Sequence, residues 1–316
     1  MRSELRSPVG FGKREAKELA ILAAVLAVIF LAGPLAYRNQ FFFLSMMIYM
    51  MLAFGINMIY GFTGYLPFGY TVFYGLGAYG VYIGLVLGLH PALAFIFSIA
   101  ISMAVAAVLL PLFRLRSHYF AIATLAALLA VNYLVASSEL ARWTGGGKGA
   151  SLVTIYDPNL TYYVTFVLLL VFLAVTSLVK YSRYGLALRA IRGSALTASM
   201  DGVNVPLIRG LAWLISALMA AVAGAMYGWY VSFFYPDIFS VATDVYVITY
   251  AIFGGAGTLT GPILGSIILS SVYQFIGIYY TEYLNIVFGI LLVLLILFMP
   301  RGLVDLLNRK AHLRLP

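Results

Sequence analysis

The chain of 316 residues is 64% hydrophobic and only 9% charged, with a mean hydropathy of +1.02. A soluble domain carries about 25% charged residues, so this chain cannot coat a water-facing surface, and so apolar a chain is not intrinsically disordered. What remains is a polytopic membrane protein with a net charge of +9 to place and no cysteine. Disulfide frameworks, thiolate metal sites and thiol nucleophiles are therefore excluded.

A helix crosses a bilayer in about 20 apolar residues. Residues 1–18 form a basic segment, and the apolar run 19–36 is long for a signal-peptide core, so it reads as a retained span. Further runs follow at 41–60, 68–89, 92–113 and 118–136. The run at 68–89 is preceded by GFTGYLPFG, which cannot make a continuous helix. After a loop at 137–161 comes a run at 162–179, then a second loop at 180–209, and then runs at 210–231, 244–260, 262–280 and 283–299. The expected architecture is all-α: one permease domain over 19–299, about ten spans, and a tail at 300–316.

Orientation follows from the basic residues, which favour the cytoplasmic side. With the N-terminus inside, sixteen of the 19 Lys and Arg residues fall on the inner side, while the acidic residues divide evenly. The surplus charge is thus a topology signal rather than a nucleic-acid surface. Both termini and loop 180–209 are expected inside, and loop 137–161 outside. The inner loop divides the chain into 41–136 and 210–299, whose spans run in opposite senses, as in inverted-repeat transporters. The halves share no convincing sequence identity, and their Gly-rich breaks fall at different places.

Most energy-coupling chemistry is missing. GGGKGA at 145–150 lacks the leading Gly and the Ser or Thr of a phosphate loop. His90, His118 and His312 are scattered and suggest no metal site; His90, before Pro91, reads as an interfacial residue. Asp244 and Glu282 are expected at outer span ends as solvated helix caps, which leaves no ionisable group near a span centre. Active transport would then draw its energy from another protein.

Three Gly-rich stretches stand out: residues 57–80, residues 253–265, and TGGGKG at 144–149, the last most simply a flexible turn. Broken backbone at membrane depth is tolerated only against protein or a wet cavity, so the first two mark either tight packing or a pathway. In the inner loop, YSRYGLALRAIRGSALTASMDGV is basic and partly helical, with Leu188, Ile191 and Ala195 on one weakly apolar stripe. Such a helix lies on the membrane or docks on a partner. Gly202 is expected to stop it, because Gly tolerates positive φ after a helix end.

The segment YGLALRAIRGSALTASMDGVNVPLIRGLAWLISALMAAVAGAMYG resembles the cytoplasmic coupling region and following span of branched-chain amino acid ABC transporter permeases of the LivM type. NMIYGFTGYLPFGYTVFYGLGAY, HYFAIATLA at 118–126, TGGGKG and GGAGTLTGPILG match in the same order, so the resemblance covers about residues 40–305. It implies a cobalamin-importer-like (type II) ABC permease. Its partners would be a LivH-like second permease, two ATPase subunits that bind ATP and Mg, and an extracytoplasmic substrate-binding protein, all at the cytoplasmic membrane. The chain itself would be no enzyme and hold no cofactor.

The resemblance also implies site residues. Arg183, Gly185, Arg189, Ala190, Arg192, Ala198 and Gly202 would couple to an ATPase. Asn57, Gly61, Thr63, Gly64, Phe68, Gly69 and Tyr70 would face Gly254, Gly255, Gly257, Thr258, Gly261 and Pro262 along a translocation pathway. The chain departs from the family where Gly193 and Ser194 follow Arg192, at Tyr65, Pro67 and Tyr70, and at Tyr246. Neutral, apolar amino acids are the expected cargo; urea, short amides and a stand-alone facilitator stay open at this point.

Overall fold

Backbone groups facing lipid have only one another as partners, which forces them into helices or closed barrels. The computed structural model describes residues 12–115, 117–152, 157–298 and 302–311. In chain order the helices begin with α1 (Lys13–Ala27), which passes through a π turn at Val28–Ala32 into α2 (Gly33–Ala36). Then come α3 (Gln40–Ile56), extended by a second π turn at Asn57–Gly61, α4 (Thr71–Val86), α5 (Pro91–Val108), α6 (Ser117–Ala136) and the short α7 (Ala141–Thr144). Strand β1 (Ala150–Ser151) precedes α8 (Pro158–Tyr181), α9 (Arg183–Gly193), α10 (Ala195–Met200) and α11 (Val205–Val231). Strand β2 (Phe233–Phe234) leads to α12 (Val241–Gly254), α13 (Thr260–Tyr279), α14 (Leu284–Phe298) and α15 (Gly302–Ala311).

Among the described residues seven helices are long and apolar enough to cross a membrane: Glu15–Leu35, Gln40–Gly61, Pro91–Arg114, Ser117–Ala136, Pro158–Tyr181, Val205–Val231 and Thr260–Tyr279. The runs expected at 68–89, 244–260 and 283–299 hold shorter apolar helices. The break expected before the third run is present, as residues 62–70 are not regular helix beyond Thr63. Most of the N-terminal segment, residues 300–301 and 312–316 of the tail (His312 among them), Arg116 and residues 153–156 of loop 137–161 lie outside the described residues.

Local chemistry sets the helix starts. Asp157, Ser182, Ser194, Asn204 and Ser240 each accept a backbone N–H three residues on, satisfying a donor the helix leaves free. Pro sits in the first turn of α5, α8 and α11, where its missing N–H costs nothing. His90 is the N-cap of α5, its Nδ1 accepting from Ala92 N.

The core is the crossing of α4 with α11. Gly77 lies against the Ala221 carbonyl and Gly224 against the Tyr74 carbonyl, where added Cβ atoms would stand 2.0 and 1.8 Å away. Small residues at such a crossing let backbones touch, which is how helices associate without a hydrophobic drive. Polar ties complete it: Tyr70 Oη donates to Ser216 O at 2.8 Å, Ser216 Oγ to Gly55 O at 2.7 Å, and Trp213 Nε1 to Ala106 O at 3.0 Å.

A repeat invisible in the residues appears in the packing. α3 packs on α12 and α13, and α11 packs on α4 and α5. Exchanging α3–α6 with α11–α14 maps one set of contacts onto the other. The connections agree too: residues 62–70 precede the short α4, and residues 232–240, of equal length, precede the short α12.

Asp244 corrects the sequence reading. It is not a solvated cap at a span end: it is fully buried in the first turn of α12. Its Oδ1 accepts Thr71 N at 2.8 Å, so it caps the start of α4 instead. The free N–H groups at a helix's positive end offset part of the cost of burying that carboxylate. Sequence hides this because the start of α4 meets the start of α12 only after both connections turn back into the bundle.

Candidate functional site

The two ends of the bundle differ. At the end carrying residues 182–204 and 255–259, the two Gly-rich stretches meet. Asn57, fully buried in the π turn of α3, donates Nδ2 to Thr258 O at 2.8 Å and accepts Gly257 N through Oδ1 at 2.6 Å. The Asn57 amide thereby binds both faces of the α12–α13 turn. Gly257 has φ +94°, which L side chains rarely adopt.

Arg192 of α9 reaches the same point, donating Nη1 to Gly61 O. A Cβ on Gly257 would lie 2.9 Å from that nitrogen, and one on Gly64 3.6 Å from Arg192 Cγ. The structure thus brings Asn57, Gly61, Gly64, Gly257 and Thr258 together, and adds Arg192 to them from the loop singled out for coupling.

The other pathway candidates pack nearby but separately. Thr63 Oγ1 donates back to Ile59 O at 2.6 Å. Phe68 N donates to Thr124 Oγ1 at 3.1 Å, and Gly69 lies against the Thr124 carbonyl of α6. Tyr70 is tied to α11 as described. Gly254 and Gly261 touch each other across the turn, and Pro262 is buried behind them. Gly255 lies under Gly302, the start of α15, whose added Cβ would stand 2.5 Å from Gly255 Cα. The tail therefore folds back beneath the Gly-rich turn, a contact that spacing alone did not reveal.

The coupling candidates divide by role. Gly185 is buried against the Val179 carbonyl at the end of α8. Arg189 Nη1 donates to Lys180 O at 2.9 Å, closing the free carbonyl end of α8. Leu188 and Ile191 of the apolar stripe face inward at 0% and 2% exposure, while Ala195 is only half-buried; Ala198, at 2%, takes the inward place on α10. Arg183, Ala190 and Arg192 are exposed, as are Leu186, Leu196 and Met200. Gly202 has φ +84°, with Val203 N donating to Ala198 O and Gly202 N to Ser199 O, the hydrogen-bond pair of a Schellman stop. Tyr184 Oη donates to Ile208 O at 2.9 Å. Burial pushes this phenol's pKa upward, so it stays protonated and keeps donating.

Arg209, near the start of α11, is only 9% exposed; its guanidinium lies 4.2 Å from the Tyr65 ring centroid, a cation–π contact.

The opposite end is aromatic and open. TGGGKG is a built corner there: Thr144 Oγ1 donates to Val135 O and accepts Gly146 N, and β1 pairs antiparallel with β2 through Ala150 and Phe234. Below it lies a cavity of about 370 Å³ with Tyr49, Tyr74, Tyr227, Tyr250 and Tyr273 in its walls. None of the pathway candidates lines it. Those five tyrosines come from five helices far apart in the chain, so no local spacing announced them. Among the described residues no cluster of His, Cys, Asp or Glu is arranged for a metal.

Residues 40–296 match the family described as "Branched-chain amino acid transport system / permease component". The chain belongs to this family. It is the permease subunit of an ABC importer for branched-chain or other neutral amino acids, and not an enzyme. The chain is 28% identical over 304 residues to the Escherichia coli "High-affinity branched-chain amino acid transport system permease protein LivM", covering 85% of this chain and 70% of that protein. It is also 34% identical over 173 residues to the Salmonella typhimurium permease protein LivH, covering 54% and 52%. Over 153 residues it is 31% identical to the Pseudomonas aeruginosa permease protein BraD, covering 48% of each. No solved structure gives a significant match.

Proposed function

We propose that this permease forms half of a membrane core with a second, LivH-like permease. Two ATPase subunits bind below, using ATP and Mg, and an extracytoplasmic binding protein delivers the amino acid above. The chain lies in the cytoplasmic membrane with ten spans, both termini inside, and inverted halves of the cobalamin-importer-like (type II) kind. The basic-residue distribution and the exchange symmetry of the helix contacts support this arrangement. Likeness to both LivM and LivH supports pairing between relatives.

The observation that carries the coupling role is the Arg192 contact. Residues 183–205 dock on an ATPase through the exposed face of α9 and α10. Arg192 passes movement of that loop to Gly61 and Gly257, where Asn57 holds the two Gly-rich turns shut. The pathway residues 57–70 and 254–262 thus form the inner closure, and ATP-driven displacement of α9 releases it. No formal charge lies in either stretch. The charge at their meeting point is the Arg192 guanidinium, and with no carboxylate in either stretch the closure suits neutral or zwitterionic cargo over a cation, because an unpaired ion is costly in a dry site.

The test is reconstitution of the complete complex in liposomes with ATP inside and binding protein outside. Leucine and valine uptake that requires both additions is expected, with lysine excluded and urea slower. Equal flux through this chain alone would make it a facilitator. Loss of uptake with retained ATP hydrolysis in Gly202→Val is expected of the docking role; normal coupled uptake in that variant and in Arg189→Glu would remove it.

A further inference from the structure

The aromatic cavity has the build of a ligand site. Its volume of about 370 Å³ falls in the lower part of the range for small-molecule pockets. Five helices each contribute one tyrosine: Tyr49 from α3, Tyr74 from α4, Tyr227 from α11, Tyr250 from α12 and Tyr273 from α13. The rings hold one another, with centroids 5.2 Å apart for Tyr49 and Tyr250, 6.3 Å for Tyr49 and Tyr273, and 5.5 Å for Tyr74 and Tyr227.

Two of the polar groups in its walls have hydrogen-bonding capacity to spare. Tyr250 Oη and Ser270 Oγ are buried beside one another with no other partner, on side chains 0% and 5% exposed. Buried hydroxyls with no other partner call for an explanation such as water or a ligand. Asp237 is the one charged residue among those lining the cavity, and it is exposed. The remaining polar lining consists of neutral hydroxyl and amide groups.

We propose that this cavity, enclosed within a single chain, is a holding site for a zwitterionic α-amino acid with an apolar side chain, filled from the outer end. The inference rests on the reading of the chain as an amino-acid permease and names where the cargo waits before the inner closure opens. The side chain lies among Tyr49, Tyr250 and Tyr273. The carboxylate accepts from the Tyr250 and Ser270 hydroxyls, and the ammonium stays toward Asp237 and the tyrosine faces, which attract cations. A second positive charge, as on lysine, finds no counter-ion deeper in. Uncharged donors make the site shallow, which lets cargo leave.

The native chain has no cysteine, so single thiols report cleanly. Ser45→Cys and Gln274→Cys, each in the complete reconstituted complex, are treated from outside with a bulky methanethiosulfonate. Millimolar leucine is expected to slow labelling at both positions, lysine is not, and labelled complexes should lose leucine uptake. Tyr250→Phe keeps the ring and removes the hydroxyl; it should raise the KM for leucine about tenfold, the loss of one hydrogen bond to a charged group. Labelling indifferent to leucine, or full uptake after labelling, overturns the cavity assignment. The unmodified complex decides the parent reading separately: leucine uptake there leaves the importer standing whatever the thiols show, and no uptake overturns both.

Discussion

The two ends of the bundle close by different physics. The inner end is backbone against backbone: Gly254 on Gly261, Gly255 under Gly302, and Gly257 against Gly61, with Asn57 and Arg192 supplying directed hydrogen bonds. The outer end is ring against ring around an open volume, with centroids 5 to 6 Å apart and mostly neutral polar groups. Backbone contacts with directed donors have a sharp optimum and suit a latch with two states. Aromatic walls adapt to different side chains at little cost. On the proposed function, the difference assigns selectivity by shape to the outer end and timing to the inner.

Substitutions at each end test that division, beginning with the most severe. Gly257→Val should abolish uptake, because a Cβ there meets Arg192 and Gly61 and the φ of +94° is forbidden to valine; about 1–3 kcal/mol of strain falls on the latch. Membrane assembly should survive, as co-purification with the second permease would show. Arg192→Gln comes next. Uptake should drop about tenfold while ATP hydrolysis persists, and Arg192→Lys should rescue only partly because a point charge lacks the guanidinium's fixed geometry. Equal loss of hydrolysis and uptake would place Arg192 at the ATPase contact alone.

Asn57→Ala leaves Gly257 N–H and Thr258 C=O without partners. The cost of about 1–3 kcal/mol per buried group should loosen the latch, seen as leak of leucine without ATP and a lowered unfolding temperature. The smallest effect is expected at the outer end. Tyr246→Phe loses the hydrogen bond from its hydroxyl to Asn285 Oδ1 at 2.5 Å and keeps the ring contacts with Tyr273 and Phe288. It should lower stability by about 1 kcal/mol and leave the uptake rate unchanged.

Composition and apolar runs were enough to place the helices, because lipid permits so few alternatives. The role of Gly202 was also legible, since a Gly after a polar helix end has one common use. Asn57 and Gly257 were named, but their mutual hydrogen bonds join residues two hundred positions apart, which no local pattern encodes. The Gly-rich breaks looked unrelated because one precedes its short helix and the other follows it. In the proposed halves of opposite sense, those two positions fall at the same end. Asp244 was misplaced for a related reason: its burial depends on connections that re-enter the bundle, and hydropathy along the chain cannot see depth.

The π turn at Asn57–Gly61 adds a rotary element to the inner end. A π turn carries one residue more than an α turn, and successive α-helical residues stand about 100° apart around the axis. Passing the extra residue one position along α3 therefore swings Asn57 through roughly a quarter turn. The Asn57 amide then parts from Gly257 and Thr258 while α3 stays in place and no span tilts. Under such a shift the closure would be a matter of helical phase, set by the single surplus residue of that turn.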